Sequence, residues 1–329
     1  VFAGHPIAAV VGDSPEAAWD GASCVEVDYE PLPVVSDIET ALCQDAPLVW
    51  EKGIPRDESD VSGDHADVDK VEGEDEDLPK NVHSQNLASH GNVDDGMAKA
   101  DFVIERVYNT GAVHQGYLEP QNCVVVPDPM QGLTIYTSTQ GPKSVHKDVA
   151  RLLDLPHSNI RVVPMTIGGG FGGKHGLLEP TAAAIAIELK MPIKMELFRS
   201  EDFMTSTPAP PCRVHLKMGA MKDGTLIALD ANIDVDNGVY AAASWSSLLA
   251  LLMASVYRIP NYRIRGYEVV THKIMAGAYR APTAQTASFV MESHIDELAS
   301  ALNLDKLEFR LKNAAVVGDR MVNGKPWPS

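Results

Sequence analysis

Cysteine and basic charge are both scarce in this sequence of 329 residues. The four cysteines stand far apart and form no CxxC pair, so we expect no disulfide framework, no thiolate cluster and a reducing compartment. The 27 basic residues are outnumbered by 45 acidic ones, which gives a net charge of −18. This balance excludes a broad surface for nucleic acid or for an anionic membrane, because both need clustered lysine and arginine.

Long hydrophobic runs are scarce as well. The longest uncharged run, Val239–Tyr257, is diluted by four serines and a tryptophan, and only Leu248–Val256 is strongly apolar. The run therefore predicts a buried helix and not a membrane span. The first residues, VFAGHPIAAVVGD, contain no basic leader, and both ends of the sequence have the character of domain interiors. We accordingly expect a cytoplasmic chain that is a fragment, or one half, of a longer subunit.

What is present is an apolar content of 45%, enough for two or three domains with real cores. The chain opens with a predicted α/β unit: a strand at 6–12, a helix that begins after Ser14 and runs to about Val25, and a strand at 25–29. Residues 57–77 then carry eleven acidic side chains without the DxDxDG spacing of a calcium loop. This stretch predicts a solvated linker.

Beyond Lys99 the pattern is mostly that of strands with inserted helices, which predicts the α+β class. Strands are predicted at 100–108, 122–127, 133–138, 159–167, 214–221 and 225–235, and helices at 143–153, 179–190 and 291–313. Short turns rich in Gly, Asp and Pro predict two hairpins, one between 122–127 and 133–138 and one between 214–221 and 225–235.

The strongest local signal is the segment GGGFGGK at 168–174, which follows a predicted strand. Its glycines allow tight turns and bring backbone N–H groups close to an anion or an oxo group. A phosphate-binding P-loop fits up to Lys174, but His175 stands where the Ser or Thr hydroxyl for magnesium is needed. A dinucleotide fingerprint also fits, although the flanking hairpins are unusual for it. These patterns leave a nucleotide-binding enzyme, using NAD or ATP, as one alternative and a non-catalytic scaffold chain as another.

Several segments together carry a more specific resemblance. The sequence VHQGYLEPQ at 113–121, Ser138-Thr139-Gln140, GGGFGGK at 168–174, GAYRAP at 277–282 and ESHIDELA at 292–299 occur in this order. They resemble the molybdopterin-binding subunit of the xanthine dehydrogenase / aldehyde oxidase family of molybdenum hydroxylases. The resemblance implies an α/β hammerhead-like part at 1–50, an acidic linker or insert at 51–97 and the first part of a mixed α+β molybdopterin-binding domain at 98–329.

The resemblance also implies a cofactor and the residues that contact it. The implied cofactor is molybdenum held by the dithiolene of a molybdopterin in its cytosine dinucleotide form, with no direct protein ligand to the metal. Cofactor contacts are implied for Gln140, Gly169, Gly170, Phe171, Gly172, Gly173 and Arg280. Gln140 and Arg280 are the implied catalytic residues: the Gln140 amide donates to an oxo ligand, and Arg280 orients substrate and stabilises developing negative charge.

Departures from the family pattern bear on the substrate. His175 replaces the glutamate of purine-oxidising members, and Ala281 replaces the cysteine that carries copper in carbon monoxide dehydrogenases. The resemblance therefore implies a small organic substrate: an aldehyde, an aromatic ring or an N-heterocycle. His175 is a candidate for the substrate pocket, with a role as donor, pH-sensitive group or packing residue left open. Glu119 is a second candidate, equally compatible with a purely structural hydrogen bond.

Two parts of the family's machinery are missing from these 329 residues. The GxGE-like segment with the glutamate that acts as general base is absent, and the four cysteines cannot hold iron–sulfur clusters. The resemblance implies partner subunits with 2Fe–2S clusters and FAD, and a second molybdopterin-binding chain or a longer version of this one that supplies the glutamate. This chain alone is expected to be a catalytically incomplete oxidoreductase.

Overall fold

Two mixed β-sheets, each packed against helices, make up most of the computed structural model of the chain. The residues that the structure describes are 1–55, 78–128, 132–241 and 243–328. The acidic stretch 57–77 and the centre of the first predicted hairpin turn, 129–131, therefore lie outside the described residues. The α+β class expected from the sequence is confirmed by the mixture of sheets and helices.

The larger sheet has five strands, in which β8 and β9 are parallel and every other neighbouring pair is antiparallel. Its order is β1 (Val82–His90), β9 (Tyr262–Val269), β8 (Leu226–Asp236), β7 (Cys212–Ala220) and β2 (Phe102–Thr110). The predicted second hairpin is confirmed as β7–β8. Helix α7 (Trp245–Ala254) connects the parallel strands β8 and β9, and α8 (Ala284–Ala301) packs beside it over the core of this sheet.

The smaller sheet has four strands and a core of its own. Its order is β5 (Ile160–Pro164), β4 (Gly132–Thr137), β3 (Asn122–Asp128) and β6 (Ile193–Glu196). Strand β3 is antiparallel to both neighbours, which confirms the first hairpin, and β4 runs parallel to β5. Helices α4 (Pro142–Leu152) and α5 (Glu179–Leu189) bury their alanine and valine side chains against these strands.

The remaining helices are short. They are α1 (Pro15–Ser23), α2 (Ile38–Ala41), α3 (Val93–Lys99), α6 (Arg199–Thr205), α9 (Lys306–Asn313) and a 3-10 turn at His157–Asn159. The predicted start of α1 is confirmed, since the Ser14 hydroxyl accepts a hydrogen bond from the Ala17 N–H at 3.2 Å and Pro15 occupies the first helical position.

Three predictions about local structure were wrong. Residues 6–12 were predicted as a strand because they are apolar and residues 25–29 because they alternate, but neither segment pairs with a strand in the described part of the chain, and their side chains are exposed. The single helix predicted at 291–313 is two helices. The first helix ends before Asn303, which has a left-handed φ of 55°. Asp305 then caps α9, since its side chain accepts from the N–H groups of Leu307 and Glu308.

The predicted buried helix in the apolar run is confirmed as α7. Leu249 and Met253 on this helix are fully buried in the core of the five-stranded sheet. Among the helices that the structure describes, none has the length and the apolar character needed to cross a membrane.

Candidate functional site

The candidate site lies at one edge of the four-stranded sheet. Because β4 and β5 are parallel, their carboxyl ends meet at this edge, and the antiparallel strand β3 begins there. The segments next to these strand ends are 115–121, 138–140 and the glycine loop, which we define as residues 168–174. The topology thus brings together three of the motifs that the sequence singled out.

The glycine loop is packed so closely that a Cβ atom would lie less than 3.0 Å from another atom at four positions, Gly168, Gly170, Gly172 and Gly173. A Cβ atom at Gly170 would lie 2.4 Å from the Gln140 Oε1 atom. At Gly172 a Cβ would lie 2.5 Å from the carbonyl oxygen of Ala278, and the residue has a left-handed φ of 98°. The loop therefore needs glycine to let its backbone touch Gln140 on one side and the GAYRAP segment on the other.

Gln140 makes three hydrogen bonds with the glycine loop. Its backbone N–H donates to the carbonyl oxygen of Lys174 at 2.7 Å. Its side-chain Oε1 accepts from the backbone N–H of Gly172 at 2.9 Å and from that of Lys174 at 3.4 Å. Since Oε1 is engaged by the loop, the Nε2 group is the free donor of this amide, and it has no hydrogen-bond partner within the described residues.

Arg280 reaches the same place from the other sheet, on the segment that follows β9. Its backbone N–H donates to the Phe171 carbonyl oxygen at 2.9 Å. Two residues earlier, the Ala278 carbonyl oxygen accepts from the Gln115 side chain at 2.8 Å. The main chain of Arg280 is thus held against the loop, while its guanidinium is exposed and has no charged partner in the part of the chain that the structure describes.

Glu119 and Lys174 form an ion pair beneath the loop. The Lys174 Nζ atom, on a fully buried side chain, lies 2.6 Å from Glu119 Oε2, and the same oxygen accepts from the Gly168 N–H at 2.8 Å. Burial raises the pKa of Glu119, but the hydrogen bonds from Lys174 and Gly168 outweigh it and hold the pKa below its usual value. Glu119 is thus an ionised carboxylate that ties the loop to segment 115–121.

A second buried network, which the sequence did not reveal, supports this ion pair. The Tyr117 hydroxyl donates at 2.8 Å to the fully buried Asp202 carboxylate, which is also paired with Arg199 at 2.8 Å. Gln121 donates to the Gly173 carbonyl oxygen at 2.6 Å. Every second residue of HQGYLEPQ, at positions 115, 117, 119 and 121, contacts the loop or a residue that is bonded to the loop. This alternation was the signal in the sequence that could have predicted the network.

His175 lies beside the site but is less firmly placed. Its ring approaches Gly141, where a Cβ would lie 3.1 Å from Nδ1, and the side chain keeps considerable exposure to solvent. Protein atoms crowded around the ring lower its pKa by desolvation, which favours the neutral imidazole. The roles of hydrogen-bond donor, pH-sensitive group and packing residue all stay predictions for His175.

The donors of the site suit an anionic oxygen. The free Nε2 amide of Gln140 can donate, and so can the N–H groups of Gly169, Gly170 and Phe171, which have no acceptor within the described residues. The described residues contain no group of three or more His, Cys, Asp or Glu side chains placed to hold a metal ion. The loop backbone has no room for side chains, and it lies next to the free amide of Gln140. Such a surface fits a cofactor that supplies the ligands of its own metal and presents an oxo oxygen to the protein.

Comparisons with known proteins agree on one family. The molybdopterin cofactor-binding domain profile matches residues 75–314. The nicotinate dehydrogenase large molybdopterin subunit of Eubacterium barkeri is 30% identical over 98% of this chain and 70% of its own length. The xanthine dehydrogenase molybdenum-binding subunit of Escherichia coli O157:H7 is 29% identical over 96% of this chain and 39% of its own length.

The fold is also similar to that of a solved enzyme. The aldehyde oxidoreductase of Desulfovibrio gigas superimposes with a TM-score of 0.82 at 25% identity, covering 95% of this chain and 32% of that chain. This chain therefore spans about a third of the enzyme's length and, at 39%, a similar part of the xanthine dehydrogenase subunit.

Proposed function

Because the chain belongs to the molybdopterin cofactor-binding domain family, we propose that it holds a molybdenum–molybdopterin cofactor against the glycine loop and Gln140. It does so as part of a molybdenum hydroxylase. The observation that carries the proposal is the amide of Gln140, whose Oε1 is fixed by Gly172 at 2.9 Å so that Nε2 is left as a donor beside the loop. When bound, this cofactor supplies two-electron oxidation of a C–H group, with the new oxygen coming from water.

The chain's own residues supply binding and orientation. The Nε2 group of Gln140 and the backbone N–H groups of Gly169, Gly170 and Phe171, which have no acceptor within the described residues, form a fixed set of donors that does not reorganise during the reaction. We propose that Gly169, Gly170, Phe171 and Gly173 complete the cofactor contact. Their backbone is held from below by the ion pair and by Gln121, so the donors keep one position.

Arg280 and His175 are proposed to act on the substrate side. The exposed guanidinium of Arg280 projects from a main chain that is bonded to Phe171, so it can orient a carbonyl or ring heteroatom near the loop. A neutral His175 can donate or accept one hydrogen bond there. The substrate class we propose is an aldehyde, an aromatic ring or an N-heterocycle, in line with the names of the relatives.

We further propose the cytosine dinucleotide form of the cofactor and a cytoplasmic complex with partner subunits that carry 2Fe–2S clusters and FAD. The relatives' names describe them as subunits, which supports assembly with other chains. A second molybdopterin-binding region, on this protein or on a partner, would bring the general-base glutamate. The division into a hammerhead-like part at 1–50, an insert at 51–97 and the cofactor-binding part at 98–329 also remains a proposal.

The alternative of a nucleotide-binding enzyme is not favoured. His175 still lacks the hydroxyl that a P-loop needs, and the loop is closed over Gln140 and Ala278 instead of opening onto a helix, since α5 starts only at Glu179.

Elemental and pterin analysis tests the proposal. The protein is purified with whatever copurifies, and molybdenum, pterin and the nucleotide released by mild acid are measured. Molybdenum and a molybdopterin in near-equal amounts are the expected result. A preparation that contains neither, yet binds NAD or ATP, would overturn the proposal.

A further inference from the structure

Lys174 connects three segments that are far apart in the sequence. Its side chain reaches Glu119 at 2.6 Å and Ser138 Oγ at 3.4 Å, and its ammonium lies 5.0 Å from the centre of the Tyr117 ring. Its backbone exchanges hydrogen bonds with Gln140, and its carbonyl oxygen also accepts from the Thr139 hydroxyl at 3.1 Å. Lys174 is thus bonded both to Glu119, through its side chain, and to Gln140, through its backbone.

The charge on Lys174 makes this arrangement specific. The side chain has no exposed surface, and an ammonium buried in this way is tolerated only next to a counter-charge. Glu119 is the carboxylate within reach among the described residues. Because the same Glu119 oxygen also accepts from the Gly168 N–H, formation of the ion pair fixes the first residue of the loop at the same time as its last.

We infer that the Glu119–Lys174 ion pair is the device that positions the Gly172 N–H and the Gln140 amide, and that it acts on turnover without touching substrate or cofactor. The inference rests on the proposed function for what is turned over. Glu119 and Lys174 are positioning residues: the pair sets the distance between the loop backbone and Gln140 Oε1, and that contact orients the free Nε2 donor. A shift of about 1 Å in such donors lowers turnover by roughly 10²-fold.

The variant that tests this is Lys174→Met. Methionine is similar in length to the lysine side chain and suits its apolar surroundings, and Glu119 keeps the Gly168 N–H and partial access to solvent. A second variant, Lys174→Met with Glu119→Gln, removes both charges and leaves no unpaired ion, so it stays informative if the single variant folds poorly. The control is Lys306→Met, which deletes a lysine that lies 2.6 Å from Asp296 at the contact between α8 and α9.

Two readouts are made on the purified complex. Hydrogen–deuterium exchange reports on the amides of 168–174 and needs no cofactor. Steady-state kinetics use a dye acceptor and the best substrate from a panel of aldehydes and N-heterocycles, with rates normalised to pterin content. We expect exchange at Gly168 and Gly172 to become at least about tenfold faster, kcat to fall by roughly 10²-fold and KM to change by less than about threefold. Lys306→Met should alter neither.

Each result decides the inference. Unchanged exchange in both Lys174 variants overturns it, and so does faster exchange with wild-type kcat. A uniform loss of protection across both sheets also overturns it, because that pattern shows a general structural role. If the wild-type complex carries no pterin, the proposed function fails; if it carries pterin but oxidises no member of the panel, the proposed substrate class is wrong. In both cases hydrogen–deuterium exchange at 168–174 alone decides whether the ion pair holds the loop.

Discussion

The carbonyl oxygen of Phe171 accepts a hydrogen bond from the backbone N–H of Arg280 at 2.9 Å. Phe171 belongs to the loop that follows strand β5 of the four-stranded sheet, and Arg280 belongs to the segment that follows β9 of the five-stranded sheet. Phe171 and Ala281, the residue after Arg280, are not glycines, yet both have left-handed φ values, 50° and 59°. Such conformations are held only when the surroundings fix them, and they concentrate at functional sites.

Replacing Gln140 by alanine removes both the fixed acceptor for Gly172 and the free amide donor. We expect turnover, normalised to pterin content, to fall by roughly 10²-fold, the effect of losing one such donor in other enzymes. The fold should survive, since the Gln140 backbone bond to Lys174 does not need the side chain. Gln85→Ala, at an exposed position on β1, is the control. Wild-type turnover in Gln140→Ala would remove Gln140 from the proposed machinery.

Replacing Gly170 by alanine tests the close packing of the loop. The new Cβ would lie 2.4 Å from Gln140 Oε1, so the end of the Gln140 side chain must move and lose the hydrogen bond from Gly172, at a cost of about 0.5–1.5 kcal/mol. We expect lower pterin content together with a lower free energy of unfolding. Gly111→Ala is the matched control, because its Cβ would meet no atom within 4 Å. Equal pterin content in the two variants would contradict the packing argument.

Replacing Arg280 by methionine separates recognition from stability. The guanidinium is exposed, and the hydrogen bond to Phe171 is made by the backbone, so the melting temperature should not change. A charge-assisted hydrogen bond is worth about 1.5–3 kcal/mol, so kcat/KM should fall by roughly 10- to 100-fold. Arg161→Met, on the exposed side of β5, is the control. If both variants keep wild-type kcat/KM, Arg280 does not contact the substrate.

The buried side chain of His294 should make the free energy of unfolding depend on pH. Burial lowers the pKa of this fully buried histidine to about 4, and its ring is bonded to the Tyr108 hydroxyl at 3.1 Å and near the Ile104 carbonyl at 3.2 Å. Between pH 6.5 and 4 the unfolded chain therefore binds a proton that the folded chain does not. The stability contributed by the neutral ring is complete above pH 6.5 and is lost as the pH falls through this window.

The expected loss from pH 7 to pH 4.5 is about 2 kcal/mol from this residue. Urea unfolding of the wild type and of His294→Gln at both pH values measures it, because carboxylates contribute equally to the two proteins. His90→Gln, near the end of β1, serves as the exposed control. A His294→Gln protein that loses as much stability between the two pH values as the wild type would show that His294 does not titrate differently on folding.

Local signals in the sequence were sufficient for the elements whose causes are local. The cap at Ser14 and the hairpin of β7 and β8 are determined by residues a few positions apart. The strand predicted at 6–12 was wrong because an apolar run forms a strand only where a partner strand exists. The end of α8 was overlooked although Asp305, an N-cap residue, was visible in the sequence.

The interior of the site was not predictable in the same way. The ion pair joins Lys174 to a residue 55 positions earlier, and the Tyr117 hydroxyl meets Asp202 85 positions later. No spacing rule links such positions, because they meet only after the sheet has formed. The family resemblance placed Gln140 and Arg280 near the loop, and the structure brings all three together, whereas their chemical roles stay predictions.

The hydrogen bond from Arg280 to Phe171 has a consequence for cooperativity. Each half of this contact is presented by a segment next to a different sheet, and each sheet has its own core. Closing chain segments this long costs entropy that is recovered only when both cores are packed, so the site forms at the end of folding. Partial opening of either sheet breaks this contact. Its occupancy therefore reports on the weaker of the two cores, and a destabilising substitution far away will be measured first as a loss of site geometry.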